Sequence, residues 1–141
     1  MTVSILIVDD LPDFRRLIKR ICRDRLDFKI VGEAPDGRSA IEKAVELQPD
    51  IVLLDISMPR LNGLEAAVQI LEVSPRSKIV FLSGHCHASV VQEAMDRGAM
   101  GYVIKSQAGV ELLDAIDCVS QGESYVSGRL ALGTSPSVYS G

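Results

Sequence analysis

Ile5-Leu6-Ile7-Val8-Asp9-Asp10 is the stretch whose reading decides the fold of this chain. Four aliphatic residues follow one another without a polar residue between them. A strand with one solvated face alternates apolar and polar positions, whereas a strand covered on both faces reads as a continuous apolar run. Strands of the second kind belong to parallel sheets. The run ends in two acids, which places both carboxylates at the carboxyl end of a buried strand.

Working outward, four more short runs have the same character. With the first, Ser4–Val8, they are Lys29–Ala34, Ile51–Leu54, Lys78–Leu82 and Tyr102–Ile104. The segments between them change to helical periodicity. Phe14, Leu17, Ile18 and Ile21 share one face; Ala40, Ile41, Ala44, Val45 and Leu47 mark a second helix, and Leu64, Ala67, Val68 and Leu71 a third. Val90, Val91, Ala94 and Met95 mark a fourth helix, and Leu112, Leu113, Ile116 and Val119 a fifth. Gln48-Pro49, Ser74-Pro75 and Gly98 follow as stop signals, because proline cannot continue a helix and glycine accepts the left-handed cap. Strands alternating with helices predict right-handed crossovers and a doubly wound α/β sandwich. Five such units predict a flavodoxin-like (βα)5 fold, a parallel five-stranded sheet in the order 2-1-3-4-5.

After Gly122 the composition shifts to Ser and Gly, with Arg129 as the one basic residue. The reading is therefore a folded domain over residues 1–122 and a flexible linker or tail over 123–141. A helix-turn-helix module does not fit in that tail, so no direct DNA binding by this chain is expected. The 141 residues are 47% hydrophobic and carry 19 acids against 15 bases. That balance supplies a core but no basic patch for nucleic acid. Cys22, Cys86 and Cys118 are odd in number and widely spaced, which predicts neither a disulfide framework nor a zinc knuckle. No apolar run approaches membrane-spanning length and no secretory leader is visible, so the expected location is the cytoplasm.

Open α/β sheets bind ligands beyond the carboxyl ends of their strands, where strand order reverses. At those ends stand Asp9 and Asp10, Asp55, Ser83 and Lys105. Each has a bland explanation taken singly. Asp10 could cap the helix starting near Pro12, Asp55 could open a turn, Ser83 could be a cap and Lys105 a solvated loop residue. Four such coincidences at one edge would be needed, and a site explains them together. Clustered carboxylates repel and call for a cation. Hard oxygen donors suit Mg²⁺, with Mn²⁺ as the alternative. A carboxylate nucleophile, a metal and positive charge on the equatorial oxygens are what phosphoryl transfer requires. Asp55 is the candidate nucleophile, and Ser83 and Lys105 the groups for the phosphoryl oxygens.

Four pieces carry a family resemblance: Ile5 to Asp10; Leu53-Leu54-Asp55-Ile56-Ser57-Met58-Pro59 with Asn62-Gly63; Phe81-Leu82-Ser83; and Gly101-Tyr102-Val103-Ile104-Lys105. In this order and at these separations the chain resembles the receiver domain of two-component response regulators, over about Val3 to Gly122. Lys105-Ser106 and the segment Gly122 to Ser127 resemble the LuxR/NarL/FixJ-type subfamily. The resemblance implies a phosphoacceptor switch rather than an enzyme with turnover, limited to self-catalysed phosphoryl transfer and autodephosphorylation. It implies that Asp10, Asp55 and the backbone carbonyl of Ser57 bind Mg²⁺ directly, with Asp9 acting mainly through water. It implies Ser83 and Tyr102 as a switch pair. The implied partners are a sensor histidine kinase or phosphotransfer protein and, on phosphorylation, a second copy of the chain. An output domain that regulates transcription would lie outside these residues. Many receivers follow the lysine with proline and a cis bond. Ser106 stands there instead, and a cis bond before it would cost about 3 kcal/mol.

Two other readings compete. A haloacid-dehalogenase-like phosphatase also uses an aspartate and Mg²⁺, but its nucleophile sits in an Asp-x-Asp motif, and residue 57 is Ser. A degenerate receiver serving as a scaffold requires loss of a key residue, and none is lost. His85-Cys86-His87 lacks partners for a metal site and reads as loop, with His85 two residues beyond Ser83, where the family tunes its kinetics.

Overall fold

The computed structural model describes residues 2–85 and 87–127. The elements alternate throughout: β1 (Val3–Val8), α1 (Pro12–Cys22), β2 (Phe28–Ala34), α2 (Gly37–Leu47), β3 (Ile51–Asp55), α3 (Gly63–Val73), β4 (Lys78–Ser83), α4 (Ala88–Asp96), β5 (Gly101–Ile104) and α5 (Ala108–Ser120). A short 3-10 turn over Lys105–Gln107 joins β5 to α5. The strand pairs are all parallel and the order is 2-1-3-4-5, extended by a sixth strand, β6 (Tyr125–Val126), on the far side of β5. The flavodoxin-like doubly wound sheet predicted from the sequence is therefore present, with one strand more than the five expected.

Period-two alternation sorts the strand residues between two cores. Leu6, Val8, Val52, Leu54, Ile79 and Phe81 pack under α2, α3 and α4. Ile5, Ile7, Ile51, Leu53, Val80 and Leu82 pack under α1 and α5. Both sets are fully or almost fully buried, each large side chain contributing about 1.5–3 kcal/mol of transfer free energy. This is the physical content of the unbroken apolar runs: every position is inside, on one face or the other.

The helix ends follow the anticipated stop signals. Gln48 closes α2 in the left-handed region at φ 44°, and its side-chain amide donates to Ala44 O at 2.9 Å and to Val73 O at 3.0 Å. Gly98 at φ 100° follows α4. Asp36 and Asn62 cap α2 and α3 by accepting from Ser39 N and Glu65 N.

The boundary at residue 122 is corrected in part. Glu123 to Ser127 are described, and Tyr125–Val126 pairs with Gly101–Tyr102. Ser127 is fully buried and donates its N–H to Tyr102 O at 2.8 Å. The fold thus includes a strand where a linker was expected, because the β5 edge offers main-chain groups to pair with and Val126 and Tyr125 pack against the two cores. The remainder of the expected tail, residues 128–141, lies outside the described residues.

Candidate functional site

Sheet register assembles the site. Val8 pairs with Leu54 across β1 and β3, Asp55 pairs with Leu82 across β3 and β4, and Ser83 pairs with Ile104 across β4 and β5. The residues at or just beyond these pairs are Asp9 and Asp10, Asp55, Ser83 and Lys105. They therefore meet at one edge, at the reversal of strand order between β1 and β3. An open cleft of about 360 Å³ lies there, lined by Asp10, Leu11, Asp55, Ser57, Gly84, His85 and Lys105.

Oxygens of Asp9, Asp10 and Asp55 lie within 4.8 Å of one another. Asp9 and Asp55 are buried, at 1% and 3% exposure. Burial pushes the Asp55 carboxyl up to about 6; Lys105 works against that, while the neighbouring Asp9 and Asp10 add to it. The Lys105 ammonium stands 2.8 Å from Asp9 Oδ2 and 3.6 Å from Asp55 Oδ2, and 4.5 Å above the Phe14 ring. Asp9 Oδ2, 2.8 Å from the Lys105 ammonium, is a buried oxygen with no hydrogen-bond partner. A buried carboxylate oxygen with a countercharge but no hydrogen bond, next to two more carboxylates, fits a hard divalent cation. The bland role for Asp10 does not hold. Leu11 is the N-cap of α1, and it is Asp9 Oδ1 that accepts from Leu11 N, at 2.9 Å.

His85 ties the roof of the cleft together. Its N–H donates to Ser83 Oγ at 3.0 Å, its carbonyl accepts from Tyr102 Oη at 3.0 Å, and its Nε2 lies 2.9 Å from Ser57 Oγ. Ser83 and Tyr102 are both fully buried. The two expected switch residues are thus joined through one backbone, that of His85. Sequence reading treated His85 as a loop residue; a lone histidine has no pattern that would reveal three contacts made by a returning loop.

Glycine makes the wall behind Asp55. A Cβ at Gly63 would lie 2.1 Å from Asp55 O and 2.7 Å from Ile56 Cα, so the start of α3 approaches the end of β3 as only glycine allows. Gly63 N–H donates to Ile56 O at 2.8 Å, and Ser57 N–H donates to Asp55 Oδ1 at 3.2 Å. On the other wall Arg15 donates to Asp9 O and to Glu33 Oε1, the latter at 3.1 Å. No cis peptide occurs among the described residues, so Lys105-Ser106 is trans and enters the 3-10 turn directly.

A parallel α/β sandwich with an acidic cleft and a facing lysine at its switch point defines a class of metal-binding signalling domain. The profile of the response regulator receiver domain matches residues 5–117, and the chain belongs to that family. It is 36% identical to the transcriptional regulatory protein DegU of Brevibacillus brevis over 88% of this chain and 52% of DegU. It is 38% identical to the chemotaxis protein CheY of Listeria monocytogenes over 82% of this chain and 96% of CheY. A two-component response regulator of the LuxR family from Aurantimonas superposes with a TM-score of 0.92 at 30% identity, covering 98% of this chain and 99% of that one. The chain spans about half the length of DegU and nearly all of CheY. The relatives place it with the LuxR/NarL branch, as its sequence resemblance suggested. Receiver domains are phosphoacceptor switches that bind Mg²⁺ at an acidic pocket and work with histidine kinases or phosphotransfer proteins; in this chain Asp9, Asp10 and Asp55 bring carboxylate oxygens together in the cleft. None of the described helices is long and apolar enough to cross a membrane.

Proposed function

We propose that this chain is the Mg²⁺-dependent phosphoacceptor of a histidine-to-aspartate relay, with Asp55 as the residue that takes the phosphoryl group. One observation carries the reading: a buried carboxylate at the floor of an open cleft, flanked by two more carboxylates and by an ammonium 3.6 Å away. An Asp55 carboxylate oxygen bonds to phosphorus while the bond from phosphorus to the donor's imidazole nitrogen breaks, and the imidazole leaves with its electron pair. Asp55 attacks as the anion, and a carboxyl pushed up to about 6 is mostly ionised at neutral pH. Lys105 turns from Asp9 toward the phosphoryl oxygens, and Ser83 donates its hydroxyl to another. Asp10, Asp55 and the Ser57 carbonyl would hold Mg²⁺ or Mn²⁺, with Asp9 acting through water. When bound, the ion offsets the charge of the carboxylates and of the equatorial phosphoryl oxygens.

Ser83 and Tyr102 form the switch. Movement of the Ser83 hydroxyl toward a phosphoryl oxygen pulls on the His85 N–H that donates to it, and the His85 carbonyl is where Tyr102 is held. The relay partner is a sensor histidine kinase or phosphotransfer protein in the cytoplasm. The phosphorylated form pairs with a second copy and regulates transcription through an output domain that is not part of these residues. This chain itself does not bind DNA.

The test is incubation with acetyl phosphate and Mg²⁺ followed by mass measurement. The wild type gains one phosphoryl group and Asp55→Asn gains none. An Asp55→Asn variant modified to the same extent overturns the assignment, and turnover of simple phosphate esters would favour a phosphatase instead.

A further inference from the structure

Strand β6 contributes nothing to the cleft, yet it is fastened directly behind it. Ser127 N–H donates to Tyr102 O at 2.8 Å, and Tyr125 N–H donates to Met100 O at 3.0 Å. The Ser127 hydroxyl accepts from Ile104 N–H at 3.2 Å and donates to Glu111 Oε1 on α5. Ser127 is fully buried and Ile104 is 2% exposed. An edge strand that merely covers β5 needs main-chain pairing only. Here a side chain adds a bond to a buried amide and is itself held by a carboxylate on a helix.

The bonded amide is not an arbitrary one. Ile104 immediately precedes Lys105, and it is the register partner of Ser83. The ammonium and the hydroxyl that face the phosphoryl oxygens therefore both leave the sheet beside the peptide that Ser127 holds. Lys105 leans on Asp9 at 2.8 Å rather than on Asp55 at 3.6 Å. A phosphoryl group gripped by Ser83 and Lys105 ties the ends of β4 and β5 to one rigid body. Once that end is ordered, docking the strand on it costs less entropy; once the strand is docked, reaching the phosphoryl group costs Lys105 less. Linkage makes these two statements one free energy.

We propose that Tyr125–Ser127, anchored by Glu111, is a positioning strap whose docking and the occupancy of Asp55 favour each other. Ser127 and Glu111 are positioning residues for Lys105. The inference rests on Asp55 being the phosphoacceptor, as proposed above.

The experiment uses the whole chain with Mg²⁺ and beryllofluoride, a phosphoryl mimic. Amide hydrogen exchange is followed at Tyr125 and Ser127, with the Asp50 amide, bonded to Ser4 O at the opposite end of the sheet, as the control. Beryllofluoride affinity is then titrated for wild type, Ser127→Ala and Glu111→Ala. The expected result is about fivefold slower exchange at the strap on saturation, the factor that one net hydrogen bond supplies, with no matching change at Asp50. Both variants bind beryllofluoride about fivefold more weakly, as reciprocity demands. A strand that only covers an edge would lower stability in the variants and leave their beryllofluoride affinity at the wild-type value. Beryllofluoride saturating Asp55 with unchanged strap exchange and unchanged affinities overturns the coupling alone. Beryllofluoride that binds Asp55→Asn as well as wild type, or binds neither, overturns the phosphoacceptor reading and the coupling with it.

Discussion

Replacing Asp55 by Asn keeps the shape of the residue and removes its charge from a cluster of three carboxylates. With its carboxyl pushed from 3.8 to about 6, chiefly by burial, the folded state holds the Asp55 proton more tightly than the unfolded chain does. At 1.36 kcal/mol per pH unit, the ionised group costs the metal-free protein about 3 kcal/mol at neutral pH. The sign follows from proton binding. Below pH 3.8 the group is protonated in both states and costs nothing. Between 3.8 and about 6 the folded state binds more protons than the unfolded one, so stability falls as pH rises. Above 6 the full cost is present. Asn cannot ionise and avoids it. In EDTA at pH 7, Asp55→Asn is therefore more stable by about 2–3 kcal/mol and melts about 5–10 °C higher. Asp27, Glu33 and Asp36 have lowered carboxyls, the result of bonds to Arg25, Lys19 and Ser39 respectively, and their stabilisation is lost as pH falls. The raw pH curve mixes both signs. The difference between wild type and variant isolates Asp55: it opens between pH 4 and 6 and is flat above. Thermal or urea melts at half-unit pH steps in EDTA measure it. A variant no more stable than wild type at pH 7, or a difference curve flat from pH 4 to 7, would refute the reasoning. Saturating Mg²⁺ narrows the gap, because a bound cation stabilises the ionised wild type and not the amide.

Three further outcomes follow from the same geometry. Lys105→Met removes the charge that opposes the rise, so the Asp55 carboxyl titrates above 6, which a carboxyl-detected NMR titration reads; titration at or below 6 contradicts the role given to Lys105. Gly63→Ala drives a Cβ into the Asp55 carbonyl and costs about 3 kcal/mol in denaturant melts, with weakened Mg²⁺ binding, whereas the exposed Gly109, with nothing within 4 Å of its Cβ position, accepts Ala without loss. His85→Ala removes the ring that reaches Ser57 Oγ across the cleft, so acetyl phosphate modifies Asp55 several-fold faster and the product hydrolyses faster; unchanged time courses by mass measurement would show that the ring does not restrict access.

How much of this was legible beforehand depends on where each signal is stored. Buried strands announce themselves because both faces demand apolar residues, and the five runs differ from the observed strands by a residue at an end. Strand β6 has two residues in a Ser- and Gly-rich stretch, too short for any period; its order comes from Met100, Tyr102, Ile104 and Glu111, none of them near in sequence. His85 was legible as a position but not as a hub, because its three contacts come from β4, β5 and the loop after β3. Lys105 was legible as a residue of the rim, but its distances of 2.8 Å to Asp9 and 3.6 Å to Asp55 depend on side-chain placement that no sequence pattern encodes.

The site itself was legible for a reason that reaches beyond the motif. Its acids are not placed by a local loop but by the lengths of strands whose register is set by two apolar cores. A slip of one residue in β3 would exchange Val52 and Leu54 with Ile51 and Leu53 between the two cores, and would set Leu54 rather than Asp55 opposite Leu82. The same slip would separate Asp55 from Asp9 and Lys105. The core that excludes the slip is thus what holds three carboxylate oxygens within 4.8 Å against their own repulsion. It follows that the packing residues beneath the rim act on metal affinity as well as on stability. Leu54→Ala, fully buried between β1 and β4, costs about 2–5 kcal/mol. It also weakens Mg²⁺ binding without touching a ligand, and isothermal titration of the folded variant reads that loss. An Mg²⁺ affinity equal to wild type would mean that the acids are held by their own loops and not by the core.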